Sequence, residues 1–234
     1  MLVGSVNFIK IKDEVMYVKN KIAIIGAGAA GMIAALTASE KKNNQIFLIE
    51  KQERVGKKIM FTGNGHCNLS NTNLNLKFYH GQNKKFAKYA LEHFNPYDLI
   101  NFFSGIGLEC QVMNDGKVYP YSHQAGSVVD ILLFAWDKPN IELLTNHEVK
   151  GIKKVENTFT IVYDEGKQIY ADKVIITAGG VAATQIGGTY SGYEILKSLG
   201  HSCTKLIPSL VQLKTDTKYT KALKGIRVDD LISC

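Results

Sequence analysis

The chain has 234 residues, of which 45% are hydrophobic and 21% are charged, and its formal net charge is +7. These values suit one large globular domain or one and a half smaller ones, and they exclude a low-complexity or repeat protein. The positive charge would permit contact with nucleic acid or anionic lipid. The lysines are scattered, however, which favours a solvated surface and equally suits an anionic phosphate compound as ligand.

The cysteines provide information about the compartment. The four residues Cys67, Cys110, Cys203 and Cys234 form no C-x-x-C pair, so neither a zinc site nor a disulfide framework is predicted. We therefore expect a reduced, cytoplasmic protein.

An apolar run at residues 22–38 follows two lysines and so resembles a signal-peptide core or a short membrane span. Three glycines at fingerprint spacing lie within it, and a charged segment and a second strand follow. We interpret the run as a strand, a turn and a helix, and we predict no membrane segment. Residues 1–20 are expected to form an N-terminal extension, in which Met16 opens the sequence that leads into the strand.

The strongest pattern is a dinucleotide-binding fingerprint. An apolar strand at residues 21–25 is followed at once by Gly26, Gly28 and Gly31 in G-x-G-x-x-G spacing, and then by a helix. Gly26 would allow the tight turn, Gly28 would let the backbone approach a pyrophosphate, and Gly31 would let the helix pack close to the sheet. The helix N-terminus would offer free N–H groups to the phosphates. The cofactor-binding residues predicted in this segment are Gly26, Gly28, Ala29, Ala30 and Gly31.

A second strand, at residues 45–50, ends in Glu50, nineteen residues past Gly31. A carboxylate at this distance would accept hydrogen bonds from the adenosine ribose hydroxyls. It favours an unphosphorylated ribose, as in FAD or NAD, although Lys51 weakens that preference. The register of strand, helix and acid predicts dinucleotide binding, and the alternative is a glycine-rich turn without a ligand.

A second glycine-rich stretch, GKKIMFTGNGHCN, spans residues 56–68. Such a loop turns sharply and presents many backbone N–H groups, and Lys57 and Lys58 add positive charge suited to a pyrophosphate. Adjacent His66 and Cys67 do not make a metal site, since neighbouring side chains on one strand would point apart. A nucleophilic Cys67 would need an activating base, for which His66 is poorly placed. We predict a cofactor-covering loop without a metal ion.

The central part of the chain predicts three helices and a run of short strands. The helices are expected from about residue 84, from Asn95-Pro96 to Phe103, and over 128–136. Strands are expected at 141–144, 148–155, 158–163 and 167–177, the last two joined by a tight turn at 164–166. A further strand is expected at 209–215. The aromatic residues expected in the core are Phe94, Tyr97, Phe102 and Phe103.

Three more blocks follow the glycine-rich loop: GKVYPYSHQAGSVVDILL from Gly116, ADKVIITAGG ending at Gly180, and GGTYSGYEILKSLGHSCTKLIPSLVQL from Gly187. Together with the loop, and in this order, they resemble the blocks of the BaiN/YhiN-type flavoproteins. This family is also described as NAD(P)/FAD-dependent oxidoreductases or as the aminoacetone oxidase family of FAD-binding enzymes. The resemblance runs from about residue 21 to about residue 225.

The resemblance implies an α/β fold, namely a Rossmann-like FAD-binding domain with a parallel sheet and an antiparallel β-meander crossing over it. This domain is expected over residues 21–205, with a helical insertion at about 81–136. Residues 206–234 would begin a second domain. The family continues for roughly as many residues again, so we expect a truncated product with incomplete retention of the flavin.

The resemblance also implies which residues hold FAD. The loop would cover the phosphates and ribityl chain, and Val149 would lend backbone contacts to adenine unless it is simply a core residue. The strand that returns to the sheet would bring residues 178–180 close to the cofactor. Besides the fingerprint glycines, the predicted cofactor-binding residues are Glu50, Lys51, Lys57, Lys58, Thr62, Gly63, Asn64, Gly65, His66, Cys67, Asn68, Val149, Ala178, Gly179 and Gly180.

Two positions depart from the family pattern. His66 stands where the family usually has arginine, so the permanent bidentate charge of that arginine is missing here. Ser191 stands where the family often has aspartate. The motifs place four side chains near the flavin, namely Tyr190, Tyr193, His66 and Cys67. No acid–base role is assigned to any of them, so the catalytic residues are not predicted.

The expected function is a flavin-dependent oxidoreductase that transfers hydride between FAD and a small or hydrophobic organic substrate. The resemblance suggests reduction of an activated C=C bond or oxidation of an amine. NAD(P)H is the expected donor, and it would bind transiently because no second G-x-G-x-x-G is visible. The alternatives are a non-catalytic FAD- or NAD-binding fragment and an RNA-modifying flavoprotein. The predicted partner is a small molecule, and nothing in the sequence predicts an oligomeric state.

Overall fold

The computed structural model describes residues 8–11, 14–17, 20–81, 83–208 and 216–223. The chain divides into two compact units, residues 1–202 and 203–234. In the second unit, the four-residue helix Thr217–Thr220 begins behind Asp216, whose side chain accepts a hydrogen bond from the N–H of Lys218. The strand predicted at 209–215 lies outside the described residues.

Twelve strands are present among the described residues: β1 (Phe8–Ile11), β2 (Glu14–Tyr17), β3 (Asn20–Ile25), β4 (Asn44–Ile49), β5 (Ser70–Asn71), β6 (Cys110–Val112), β7 (Lys117–Pro120), β8 (Ile141–Leu144), β9 (Val149–Val155), β10 (Thr158–Tyr163), β11 (Lys167–Ala171) and β12 (Lys173–Ile176). The α-helices of the same ranges are α1 (Ala29–Ser39), α2 (Lys88–His93), α3 (Pro96–Gly105), α4 (Ala125–Ala135), α5 (Ser191–Ser198) and α6 (Thr217–Thr220). None of these helices has the length and apolar character needed to cross a membrane.

The centre of the first unit is a parallel sheet with the strand order β12-β3-β4-β8. Strand β3 is buried on both faces, because side chains alternate along a strand and helices or strands cover each side. Ile22 and Ile24 pack in one apolar cluster with residues of α1 and α4. Ala23 and Ile25 pack in a second cluster with β9, β10 and α5. This three-layer arrangement confirms the predicted Rossmann-like α/β fold.

The predicted antiparallel meander consists of β9, β10 and β11, in the spatial order β11-β10-β9. Ile161 pairs with Ile152 on one side and Ile169 on the other. The turn between β10 and β11 uses two residues with left-handed backbone, Asp164 at φ 48° and Gly166 at φ 102°. The hairpin predicted from the Asp-Glu-Gly sequence is therefore confirmed.

The insertion between β4 and β8 contains a second, antiparallel sheet of β5, β7 and β6 beside its helices. None of the three strands β5, β6 and β7 was predicted from the sequence. Helix α3 begins as predicted: the Asn95 side chain accepts hydrogen bonds from the first-turn N–H groups, and Asp98 caps the Asn95 N–H in return. Helix α4 begins at Ala125, three residues before the predicted start.

The core prediction for two aromatic residues was wrong. Phe94 is 50% exposed and Tyr97 is 62% exposed, whereas Phe103 is buried. Phe94 and Tyr97 flank the N-terminal cap of α3, where the helix has only just begun. The side of α3 that carries Phe103 and the half-buried Phe102 is the one that faces the core.

Candidate functional site

The turn from β3 into α1 has two glycines that the surrounding backbone requires. Gly26 has φ 101°, and a Cβ atom there would lie 2.6 Å from the carbonyl oxygen of Thr177. A Cβ atom at Gly31 would lie 1.9 Å from the carbonyl oxygen of Gly26. Real Cβ atoms do not tolerate these distances, so both glycines are needed for the close packing of strand, turn and helix.

Gly28 is different, because the protein itself does not require it. Its φ is −79°, and a Cβ atom there would meet no atom within 4 Å. Ala29 and Ala30, which open α1, are exposed. The first N–H groups of a helix have no partner inside the helix, so this end presents free donors and a partial positive charge to open space. The ledge that the fingerprint predicts for a pyrophosphate is therefore present and unobstructed by side chains.

Glu50 follows β4 and turns toward the same ledge. Its Oε2 accepts a hydrogen bond from the N–H of Ala27 at 2.8 Å, and its Oε1 accepts one from the N–H of Gln52 at 2.9 Å. Each carboxylate oxygen can accept a second hydrogen bond. The carboxylate thus sits where it could also receive ribose hydroxyls, which stays a prediction.

A cleft lies between this ledge and the ends of the parallel strands, and we call it the glycine cleft. One of its walls carries four cationic side chains, Lys51, Arg54, Lys57 and Lys58. The backbone N–H of Gly56 donates to the Ala27 carbonyl at 2.9 Å, which ties this wall to the glycine turn. Within the described part of the chain, none of the four cations forms an ion pair. The cleft is therefore suited to an anionic ligand.

The opposite wall is built by the segments that follow β8 and β12. It includes His147, Glu148 and Val149, and also Thr177, Ala178 and Gly179. Val149 is buried and lies at the start of β9, where it lines the cleft, and its contact with adenine stays a prediction. Lys58 reaches across the cleft, and its Nζ donates to the carbonyl oxygen of Gly180 at 3.3 Å.

Of the second glycine-rich stretch, Gly56, Lys57 and Lys58 line the glycine cleft, and the predicted residues from 62 to 68 do not. The loop from 62 to 68 contacts a different neighbourhood, where the ring of His66 meets Tyr119 edge-on and its Nδ1 donates to the His123 carbonyl at 2.7 Å. The predicted residues that lie outside the cleft lining are Gly28, Ala29, Ala30, Gly31, Thr62, Gly63, Asn64, Gly65, His66, Cys67, Asn68 and Gly180. The first three of these form the ledge beside the cleft, and the cofactor contacts of the loop stay a prediction.

The backbone of this loop turns repeatedly and is not strand-like. Gly63, Asn64, Gly65 and Cys67 all have positive φ values, so the segment is a loop, as predicted, and His66 and Cys67 are not neighbours on a strand. Cys67 is buried. Burial raises the pKa of its thiol, and a hydrogen bond with Thr62 offsets only part of that effect. A nucleophilic thiolate at Cys67 is therefore disfavoured.

Several residues of the cleft were not among the predicted site residues. Thr177 closes the glycine turn, because its Oγ1 donates to the Gly26 carbonyl at 2.8 Å. Arg54 and His147 add charge and hydrogen-bonding capacity to the walls, and Ser191 lines the cleft at the start of α5. A usable signal existed only for His147, which closely follows a predicted strand at the edge where ligands of parallel sheets bind.

Comparisons with known proteins agree with the fold. The family described as HI0933-like protein Rossmann domain matches residues 20–233. The 3-dehydro-bile acid delta(4,6)-reductase of Clostridium scindens is 36% identical over 211 residues, covering 90% of this chain and 51% of the relative. The ribosomal RNA dihydrouridine synthase of Escherichia coli is 29% identical over 205 residues, covering 88% of this chain and 50% of the relative. The chain thus spans about half the length of these curated relatives.

One solved structure with a similar fold is the crystal structure of Thermovibrio ammonificans THI4. Its TM-score is 0.48 at 12% identity, covering 78% of this chain and 64% of that chain.

Proposed function

The chain belongs to the family of HI0933-like protein Rossmann domains, and we propose that it is the dinucleotide-binding part of a flavin-dependent oxidoreductase, with FAD bound in the glycine cleft. The observation that carries this proposal is the open ledge at Gly28, which a Cβ atom would enter without touching any protein atom. Glu50 and four cationic side chains line the same cleft, and these cations are Lys51, Arg54, Lys57 and Lys58. This donor set fits a diphosphate joined to a ribose.

The residues of the cleft divide the binding task. The N–H groups at the start of α1, with Lys57 and Lys58, would hold the two phosphates. Glu50 would accept the ribose hydroxyls while it keeps its hydrogen bond from Ala27. Bound FAD would supply the hydride chemistry, and the chain's own residues bind and orient the cofactor.

The proposed substrate is a small or hydrophobic organic molecule, and the proposed donor is NADH or NADPH. The support comes from the Clostridium scindens relative, whose name describes a reductase of 3-dehydro-bile acids. Val149 and Ala178 leave apolar surface on one wall of the cleft, but both are expected to contact the cofactor. The substrate proposal therefore depends on the relative and not on a built substrate site.

Titration of the purified chain with FAD tests the proposal. We expect quenching of flavin fluorescence that saturates at one FAD per chain. Anaerobic addition of NADH or NADPH should then bleach the flavin absorbance band. A band that forms and never bleaches would support the non-catalytic FAD-binding alternative, and a failure of FAD to bind would contradict the proposal itself.

RNA is a second candidate substrate, favoured by one surface feature. Phe86 is 86% exposed and Tyr89 is 71% exposed, and Lys84, Lys85 and Lys88 lie beside them in the sequence. Exposed aromatic rings among lysines suit stacking on unpaired bases. The Escherichia coli relative is named a ribosomal RNA dihydrouridine synthase. RNA binding that weakens steeply with salt, and that Phe86→Ala with Tyr89→Ala weakens further, would support this candidate.

A further inference from the structure

His147 lines the glycine cleft, and its backbone is hydrogen-bonded to the segment that carries Glu50. The backbone N–H of His147 donates to the Glu50 carbonyl at 3.0 Å, and that of Asn146 donates to the Gln52 carbonyl at 3.2 Å. The segment that carries His147 is therefore tied to the end of β4, directly beside the predicted ribose carboxylate. His147 lines the cleft, and its side chain is 27% exposed.

The carboxylate of Asp164 fixes the orientation of the His147 ring through a contact with Nδ1. Its Oδ2 lies 2.5 Å from His147 Nδ1, and its Oδ1 accepts the N–H of Glu148 at 3.2 Å. Its own N–H donates to the Glu148 carbonyl at 3.0 Å. Asp164 achieves this with a left-handed backbone at φ 48°, which is costly for a residue other than glycine. The hairpin turn thus places the Asp164 carboxylate where it fixes both the His147 ring and the backbone of Glu148.

This hydrogen bond decides which ring nitrogen is free. A carboxylate only accepts, so Nδ1 of His147 carries the hydrogen of this bond, and in the neutral tautomer this leaves Nε2 as an acceptor. Nε2 has no hydrogen-bond partner among the residues that the structure describes. An acceptor held at this position in the cleft matches an exocyclic amino group and opposes a carbonyl oxygen.

We propose that His147 is a specificity-determining residue that selects an adenine base through Nε2, and that Asp164 is the positioning residue that holds its tautomer. The inference rests on the proposed function, since it assigns the base end of the same dinucleotide. It separates adenine, with an amino group, from hypoxanthine, which has a carbonyl at the equivalent position.

Competitive titration with ADP and inosine diphosphate tests this directly, because the two probes differ at that group. We expect the wild-type chain to bind ADP about tenfold more tightly. His147→Asn keeps an amide donor for Asp164 but lacks an acceptor at the Nε2 position, so the ratio should fall to about one. His147→Gln, whose longer amide can place an oxygen near that position, should restore part of the preference. His93→Ala removes an imidazole that stacks on Tyr89 away from the cleft, and it should leave the ratio unchanged.

Asp164→Asn gives an independent readout that does not alter the imidazole. An asparagine amide can donate to Nδ1 as well as accept from it, so both tautomers become populated and the preference for ADP should decrease. Circular dichroism and the melting temperature establish that each variant folds. If His147→Asn does not fold, Asp164→Asn and His147→Gln still decide the question.

The outcomes separate this inference from the proposed function. Equal binding of ADP and inosine diphosphate to the wild type, or an unchanged ratio in folded His147→Asn or Asp164→Asn, overturns the role of His147 while FAD binding stands. Failure of the wild type to bind either FAD or ADP overturns the proposed function and this inference together.

Discussion

Glu50 and Ala27 are joined by a hydrogen bond of 2.8 Å from the backbone N–H of Ala27 to the Glu50 carboxylate. Ala27 is fully buried, so its N–H has no access to water. The second carboxylate oxygen caps the N–H of Gln52. The acid predicted to bind ribose therefore also braces the glycine turn, and a conservative substitution affects both of these functions.

Glu50→Gln should lower both stability and FAD affinity. The amide retains one acceptor oxygen, so its NH2 group must face either the Ala27 N–H or the Gln52 N–H. We expect a loss of about 1–2 kcal/mol in the free energy of unfolding. Urea denaturation and FAD titration measure the two effects, and unchanged stability would show that the hydrogen bonds contribute nothing.

Gly28→Ala should separate binding from folding. A methyl group at this position meets no protein atom within 4 Å, and the backbone φ of −79° suits alanine. We therefore expect an unchanged melting temperature and an FAD affinity at least about tenfold weaker, since a Cβ would occupy space needed by the diphosphate. Gly105→Ala, which is equally unobstructed but lies at the end of α3, is the matched control. Full FAD affinity in Gly28→Ala would contradict the proposed site.

Gly26→Ala, in contrast to Gly28→Ala, should lower the stability of the fold. A Cβ atom there would lie 2.6 Å from the Thr177 carbonyl oxygen, and the backbone φ is 101°. We expect a destabilisation of about 2 kcal/mol or more, measured without any ligand. Gly151→Ala, on β9, meets no atom within 4 Å and serves as the control. Equal stability of the two variants would remove the packing argument for Gly26.

The family and the central βαβ unit could be predicted because their signals are local in sequence. A strand, three glycines and a helix occupy consecutive residues, and Glu50 lies at the end of the next strand. The match to the HI0933-like family over residues 20–233 confirms the resemblance inferred from four blocks. The short Lys117–Pro120 strand had a weaker signal, an Asp-Gly turn before an alternating segment, and was missed.

The rest of the site could not be predicted because it depends on contacts between distant parts of the chain. Thr177 closes a turn that lies 151 residues earlier, through its bond to the Gly26 carbonyl. Asp164 reaches His147 only because a hairpin turn returns beside β9. The error at Phe94 and Tyr97 has a related cause, since apolar character does not reveal whether an element packs over a side chain.

Replacing Lys57 and Lys58 together with alanine should weaken FAD binding by about tenfold at low salt and reduce its dependence on salt concentration. Both lysines line the glycine cleft and neither pairs with an acid among the described residues, so their charge is available to the phosphates. The matched control replaces Lys41 and Lys42, an adjacent pair beyond α1. FAD titrations at two salt concentrations measure the effect. Equal losses in the two double variants would indicate a general effect of net charge.

Stability at acid pH should depend on Asp164. Burial alone would raise the pKa of this carboxyl, but the hydrogen bonds from His147 and Glu148, with the charges of His147 and Lys167, outweigh it and lower the pKa below the ordinary value of 3.8. A lowered pKa in the folded state means that folding favours the ionised form. This contribution is fully present above the unfolded-state pKa and is lost as the pH falls through the folded-state pKa.

The free energy of unfolding of the wild-type chain should therefore fall more steeply below about pH 4 than that of Asp164→Asn. Other carboxyl groups, such as Asp115 with its own lowered pKa beside Lys117, titrate in both proteins and cancel in the difference. Urea denaturation at several pH values between about 2 and 6 measures the two slopes. Parallel slopes would show that the Asp164 carboxylate is no better stabilised in the folded chain than in the unfolded one.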